Sequence, residues 1–138
     1  SAAIFSKDSL FVKNIIEHCE SNIQIRLCED SLFSPTPLNL ILKFIEYFLE
    51  NQLFGIHHVS GLRQSRFNFA SNIARIFNLS LNYELVSRDQ INHNLMPDLS
   101  LINSFLESHW KEVLPSDLYD LNLKNASKEF EIGDFYEF

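Results

Sequence analysis

Glycine is nearly missing from this chain: 138 residues hold three, Gly55, Gly61 and Gly133. Neither a G-x-G-x-x-G turn nor a G-x-x-x-x-G-K loop can be built from them, which excludes the usual backbone cradles for a dinucleotide or a triphosphate. Cysteine is as scarce. Cys19 and Cys28 have neither the C-x-x-C spacing of a metal or redox site nor the density of a secreted disulfide scaffold, so two free thiols in a reducing compartment are expected. Basic residues are few, eleven Lys and Arg against eighteen Asp and Glu, and the net charge of −7 argues against a nucleic-acid binder, which would carry a basic patch. Long apolar runs are missing too. The longest, within residues 37–49, is broken by Asn39, Lys43 and Glu46 and falls short of the ~20 residues that span a bilayer. With no signal-like apolar stretch at its start, the chain reads as cytoplasmic with no membrane partner.

Catalytic signatures are equally thin. None of Tyr47, Tyr83, Tyr119 and Tyr136 has a lysine four positions on, and no G-x-S-x-G elbow occurs. His57 and His58 are neighbours on what reads as a strand, so they point to opposite faces and read as packed strand residues. His18, His93 and His109 have no carboxylate or cysteine at metal-like spacing. No catalytic residue and no metal ligand is predicted.

What the chain does have is apolar bulk: 13 phenylalanines and 46% hydrophobic residues. That load suits either a Phe-rich compact domain or a piece whose apolar faces belong against a partner. Periodicity places a short strand over residues 2–5, then a helix capped by Asp8 or Ser9 with Phe11, Val12, Ile15, Ile16 and Cys19 at helical spacing. Ile23, Ile25 and Leu27 alternate with polar neighbours as a half-buried strand does. Thr36 as N-cap and Pro37 as first helical residue open a helix over 37–50, with Leu38, Ile41, Leu42, Ile45 and Phe48 buried against the strand that carries Ile56. That strand is predicted at 54–59. Ser65 caps a helix through Phe77 with Phe69, Ala70, Ile73, Ala74 and Phe77 on one face, Asn78 stops it, and Leu81, Tyr83 and Leu85 mark another strand. Further on come a short helix at 100–107, Trp110 as an anchor, a polar helix or coil at 116–128, and a tail that alternates acidic with aromatic residues. Strand and helix alternate, so the fold class is α/β.

The corner Ser34-Pro35-Thr36-Pro37, the helix that follows, the run Leu53-Phe54-Gly55-Ile56-His57-His58-Val59-Ser60-Gly61 and the Ser65-Arg66-Phe67-Asn68-Phe69-Ala70 helix start together resemble an extended short-chain dehydrogenase/reductase. Within that superfamily they look most like the dTDP-4-dehydrorhamnose reductase branch. The resemblance covers about residues 1–108, leaving 109–138 as a C-terminal extension. It implies the C-terminal portion of a Rossmann-like fold with part of the substrate-binding lobe. Ser1-Ala2-Ala3-Ile4-Phe5 resembles the interior of the family's sixth strand and not a protein start, which favours the reading as a piece.

The resemblance implies an intact protein that uses NADP or NAD to reduce or epimerise a nucleotide sugar in surface-polysaccharide synthesis. The Gly-rich loop and the Tyr-x-x-x-Lys pair would lie outside this chain, which alone should bind no cofactor. By the same resemblance Phe11, Ser34, Pro35, Thr36 and Pro97 stand at substrate-side positions. There are departures. Ser9 and Leu10 precede Phe11 where the family has an asparagine on the substrate diphosphate. Leu95 and Met96 precede Pro97 where it has arginine, and neither can supply a fork of charged donors. A non-catalytic regulatory or scaffold protein on the same fold is therefore the alternative, and a free-standing α/β domain a third. Partners expected are the missing N-terminal half or a partner chain, with a second copy of this one as a further candidate.

Overall fold

The computed structural model describes residues 4–6, 8–61 and 63–101. The short helix expected from 100, Trp110, the 116–128 segment and the acidic-aromatic tail fall at 102–138, outside the described residues, though Ser100 and Leu101 themselves are not helical. In chain order the elements are β1 (Ile4–Phe5), α1 (Leu10–Glu20), β2 (Ile25–Leu27), β3 (Leu32–Phe33), β4 (Thr36–Pro37), α2 (Leu38–Glu50), β5 (Gln64–Ser65), α3 (Arg66–Ile76), β6 (Tyr83–Leu85), α4 (Arg88–Ile91) and β7 (Asp98–Leu99). Three strand pairs are parallel: β1 with β4, β2 with β6, and β3 with β7. β5 joins β3 from the other side, antiparallel. The class is α/β, as the alternation implied.

The core forms where α1 lies against α3. Val12 and Ile15 of α1 meet Phe69, Ala70 and Ile73 of α3, with Phe5, Leu27 and Phe33 closing the cluster from three strands. Phe69 is its hub. Its ring stacks on Phe11 at 5.5 Å and takes Phe5 and Phe33 edge-on at 5.0 and 5.5 Å, the arrangements that aromatic quadrupoles favour. Ser65 holds the entry to α3, its hydroxyl accepting the Asn68 amide at 3.0 Å. The α1 cap is Ser9, but that hydroxyl turns outward and donates to the Ser6 carbonyl at 2.8 Å, leaving the first-turn amides of α1 uncapped by a side chain.

The three long helices end alike. In each, the residue after the C-cap adopts a left-handed conformation: Asn22 at φ 51°, Gln52 at 50° and Asn78 at 55°. The next amide reaches back to the carbonyl five residues earlier, Ile23 to His18, Leu53 to Phe48 and Leu79 to Ala74. These are Schellman closures, in which glycine is the usual left-handed residue. A chain with so little glycine uses Asn twice and Gln once.

Four expectations fail around α2. The helix starts at Leu38 with Pro37 as N-cap. Thr36 is no cap but a strand residue, its backbone pairing with Ile4 and its hydroxyl turned inward to the Ser34 carbonyl. Nor are residues 54–59 a strand: no strand among the described residues pairs with them. His57 and His58 are exposed rather than packed. The His57 ring rests on Phe48 at 4.5 Å and its Nε2 lies 3.1 Å from the Phe54 carbonyl oxygen. The burial expected for α2 is overturned with them. Of the residues expected to be buried, Leu38, Ile41 and Phe48 are half-buried and Leu42 and Ile45 exposed, while Leu40 and Phe44 are the buried pair, because the described residues pack against a different side of the helix.

Candidate functional site

Three connecting segments meet at one seam: residues 31–37 before α2, 60–65 before α3, and 96–101 around β7. Each brings hydroxyls or backbone groups that are buried and bonded across it. Ser31 Oγ donates to the Met96 carbonyl at 3.0 Å, and the Leu32 amide donates to the Pro97 carbonyl at 2.9 Å. Ser34 Oγ accepts the Leu101 amide at 3.3 Å, and Ser60 Oγ donates to the Leu101 carbonyl at 3.2 Å. Thr36 Oγ1 donates to the Ser34 carbonyl at 3.0 Å and accepts the Gly61 amide at 3.1 Å. Buried hydroxyls cost free energy unless bonded. The seam meets that requirement by linking segments some 25 to 67 residues apart.

Of the sequence-predicted site residues, the seam brings together Ser34, Pro35, Thr36 and Pro97. The side chains of Ser34, Pro35 and Thr36 are fully buried, so they shape a wall from behind, while Pro97 is exposed at its rim. Phe11 is not with them. It lies across the aromatic cluster, half-buried on Phe69, and Phe69 in turn touches Phe33 beside the seam.

Sequence reasoning missed two arginines on the same rim. Arg63 Nη2 lies 2.7 Å from Asp98 Oδ2, and its Nε donates to Ser100 Oγ at 3.1 Å. Hydrogen bonds from Arg63, then from the Ser100 hydroxyl and amide, hold the Asp98 carboxyl well below the usual carboxylate range. Arg66 lays its guanidinium over the Phe33 ring at 5.2 Å, and its Nε donates at 3.4 Å to Ser31 Oγ, the hydroxyl that holds the Met96 carbonyl. A guanidinium thus stands one hydroxyl away from position 96, which carries none itself. Only the pairing of β3 with β7 reveals this, because the two positions are thirty residues apart in sequence.

The hydroxyls of Ser31, Ser34 and Thr36 bond to backbone groups and to Arg66, never to an imidazole or a carboxylate among the described residues. Both cysteines are free. Burial first, then Glu20 for Cys19 and Asp30 for Cys28, pushes each thiol above its ordinary value, so neither is a ready nucleophile. A shallow cleft of about 340 Å³ opens past the carboxyl ends of the parallel pair β2 and β6, where ligands settle in open α/β sheets. Glu29 and Asp30 line it, and two carboxylates disfavour a phosphate there. No group of three or more His, Cys, Asp or Glu among the described residues could hold a metal, and no helix among them is long and apolar enough to cross a membrane.

Solved structures of similar fold include nucleotide-sugar enzymes. The dTDP-4-dehydrorhamnose reductase of Bacillus anthracis, solved in complex with NADP, superposes with a TM-score of 0.69 at 22% identity, over 88% of this chain and 44% of that one. The Clostridium acetobutylicum dTDP-4-dehydrorhamnose reductase gives 0.73 at 17%, over 91% and 45%. The UDP-N-acetylglucosamine 4-epimerase of Bacillus cereus gives 0.63 at 12%, over 91% and 42%. The fold is part of the Rossmann-like short-chain dehydrogenase fold. The chain spans less than half the length of these proteins, and at such identities the likeness is one of fold alone. No family model and no curated protein matches the sequence.

Proposed function

We propose that this chain is the C-terminal part of an NAD(P)-dependent nucleotide-sugar reductase or epimerase of the dTDP-4-dehydrorhamnose reductase kind, and that it builds the sugar-nucleotide side of the active site. Residues 1–108 form that part and 109–138 an extension. The observation that carries the reading is the seam itself: the segment of Ser34, Pro35 and Thr36 is bonded to the segment of Pro97, through Leu32 to the Pro97 carbonyl and Leu101 to Ser34 Oγ, in a fold that reductases and epimerases of nucleotide sugars share. The nicotinamide cofactor, NADP or NAD, supplies hydride and belongs to the half of the fold outside this chain. The chain has no glycine turn to hold it.

In this reading the buried corner fixes the wall, and Phe11 acts indirectly by setting Phe69 behind Phe33. The charge that Leu95 and Met96 lack comes from Arg66, whose guanidinium lies over Phe33 and bonds through Nε to Ser31, the residue that holds the Met96 carbonyl. Arg63 is less suited, since Asp98 already neutralises it.

The test begins with the full reading frame that encodes these residues, purified and assayed for NADPH- or NADH-dependent reduction of a 4-keto nucleotide sugar. Arg66→Ala should raise KM about tenfold or more while leaving kcat near its original value, the signature of a lost binding contact. The 138-residue chain alone should show no heat on calorimetric titration with NADPH; micromolar binding by a clean monomer overturns the assignment. A non-catalytic regulatory or scaffold protein is the second reading, favoured by Ser9, Leu10, Leu95 and Met96 at positions where the family grips a diphosphate. A frame with no Gly-rich loop and no Tyr-x-x-x-Lys pair decides for it.

A further inference from the structure

The cleft past β2 and β6 is polar in a particular way. Besides Glu29 and Asp30 it is lined by Leu85, Val86, Ser87 and Gln90, and its volume of about 340 Å³ falls within the range of small-molecule sites. Its polar groups are set by the chain's own bonds. Asp30 Oδ1 accepts the Arg88 amide at 2.9 Å, which holds the carboxylate just beyond β2. Gln90 Oε1 accepts the Ser87 amide at 3.0 Å and the Ser87 hydroxyl at 3.3 Å, so the NH₂ group is what Gln90 offers to a ligand. The cleft thus combines an acceptor-only carboxylate, a donating amide and the apolar side chains of Leu85 and Val86.

We propose that this cleft seats the base of the sugar nucleotide and selects guanine. A carboxylate accepts hydrogen bonds and cannot donate them. Guanine turns two adjacent donors, N1–H and the 2-amino group, toward Asp30 and keeps O6 for the Gln90 amide. Uracil and thymine place a carbonyl on each side of their single ring N–H, which sets oxygen lone pairs against the carboxylate. Cytosine and adenine offer one amino group beside a ring nitrogen that also accepts. Thymidine and uridine, the nucleosides of the sugars for which the similar solved enzymes are named, are therefore the poorer fit. The inference rests on the functional reading above and narrows its nucleotide. Chain order supports the placement. Asp30 is followed by Ser31, whose hydroxyl takes Arg66 Nε at 3.4 Å, and then by the buried corner of Ser34, Pro35 and Thr36. In a sugar nucleotide the base, the phosphates and the attached sugar follow in that same order, so phosphates at Arg66 and a sugar at the corner put the base at Asp30. Glu29 and Asp30 repel a phosphate from the cleft and leave the neutral base as the part that enters.

Calorimetric titration of the protein from the full reading frame with GDP, IDP, UDP and dTDP tests the proposal. GDP should bind about tenfold or more tightly than UDP or dTDP, the worth of a good bidentate pair. IDP, which differs from GDP only in lacking the 2-amino group, should bind about tenfold more weakly than GDP. These comparisons need no variant. Asp30→Asn, which keeps an oxygen for the Arg88 amide, should weaken GDP about tenfold and leave UDP no weaker, because asparagine offers a donor beside its acceptor. UDP or dTDP binding as tightly as GDP overturns the base assignment and keeps the nucleotide-sugar reading. Equal affinities for GDP and IDP, or an Asp30→Asn protein that binds GDP unchanged, overturn it as well. A protein that binds none of the four loses both the base site and the functional reading, and one that prefers GDP but reduces no GDP-activated 4-keto sugar keeps the base site and loses the enzymatic role.

Discussion

The α1–α3 side of the molecule and the α2 side are made from the same residue types, yet one is closed and the other open. Around Phe69 every apolar side chain has partners from two helices and three strands, and Val12, Ile15, Ala70 and Ile73 have no exposed surface. Along α2 the sequence is more apolar still, but among its described side chains only Leu40 and Phe44 are fully buried, Ile41 and Phe48 are half-buried, and Ile45 and Leu49 meet solvent. Hydrophobic content thus does not make a core. What makes one is a second layer at the right distance, and among the described residues α1 and α3 supply it to each other.

Truncation on each side is the sharpest way to break the comparison. Phe69→Ala removes a ring with three aromatic neighbours and should cost about 3–5 kcal/mol in denaturant unfolding of the 138-residue chain, whereas Ile45→Ala should cost less than about 1 kcal/mol. Equal losses at the two positions would mean that the α2 face is buried in solution and that the contrast is false. In a protein where the α2 face is covered, Ile45→Ala should rise to the 2–5 kcal/mol usual for core truncation.

Helix ends give a second, smaller contrast. Ser65→Ala should cost about 1 kcal/mol, since that hydroxyl holds a first-turn amide of α3, while Ser9→Ala, whose hydroxyl faces away from α1, should fall well short of that. At the other ends, Gln52→Gly should stabilise by about 0.5–1 kcal/mol by relieving a left-handed side chain, and Asn78→Gly by less, asparagine being better suited to that conformation. Thermal melts of the four variants suffice. A destabilising Gln52→Gly would show that the Gln52 side chain contributes more than its backbone conformation costs.

What the sequence made legible follows the same division. α1, α3 and β2 were readable because their apolar periods are answered by burial, as at Phe69, Ala70, Ile73 and Ala74 of α3, whereas β6 was readable from its alternation although Tyr83 and Leu85 stay exposed. The 54–59 run was misread because strand formation is a property of a pair, and alternation in one partner does not supply the other. Thr36 was misread as a cap because Thr before Pro has cap chemistry, but its hydroxyl had better use satisfying Gly61 inside the seam. The two-residue strands β3, β5 and β7 carry no period at all. With them the proximity of Arg66 to Met96 was invisible, since it exists only through the β3–β7 register.

The smallest effect lies at the rim, where Arg63 and Asp98 form the shortest ion pair among the described residues at 2.7 Å. Both groups are substantially exposed, so the pair is worth little to stability and its signature is a titration. In the folded chain the Asp98 carboxyl titrates below its unfolded value of about 3.9. Its contribution is therefore fully present above that value and is lost as the pH falls below it toward the folded midpoint. Carbon-detected NMR titration of Asp98 should find a midpoint clearly below that of an ordinary aspartate. Arg63→Ala should move the midpoint most of the way back, because the Arg63 hydrogen bond is the largest cause and only the Ser100 hydroxyl and amide would remain. Raising the salt from 0.1 to about 1 M shortens the Debye length from about 10 to 3 Å and should recover part of the shift without the mutation. An Asp98 midpoint that ignores both Arg63→Ala and salt would assign the depression to Ser100 alone. It would also leave Arg63 as free as Arg66 to meet an anion at the rim, erasing the distinction drawn between the two arginines.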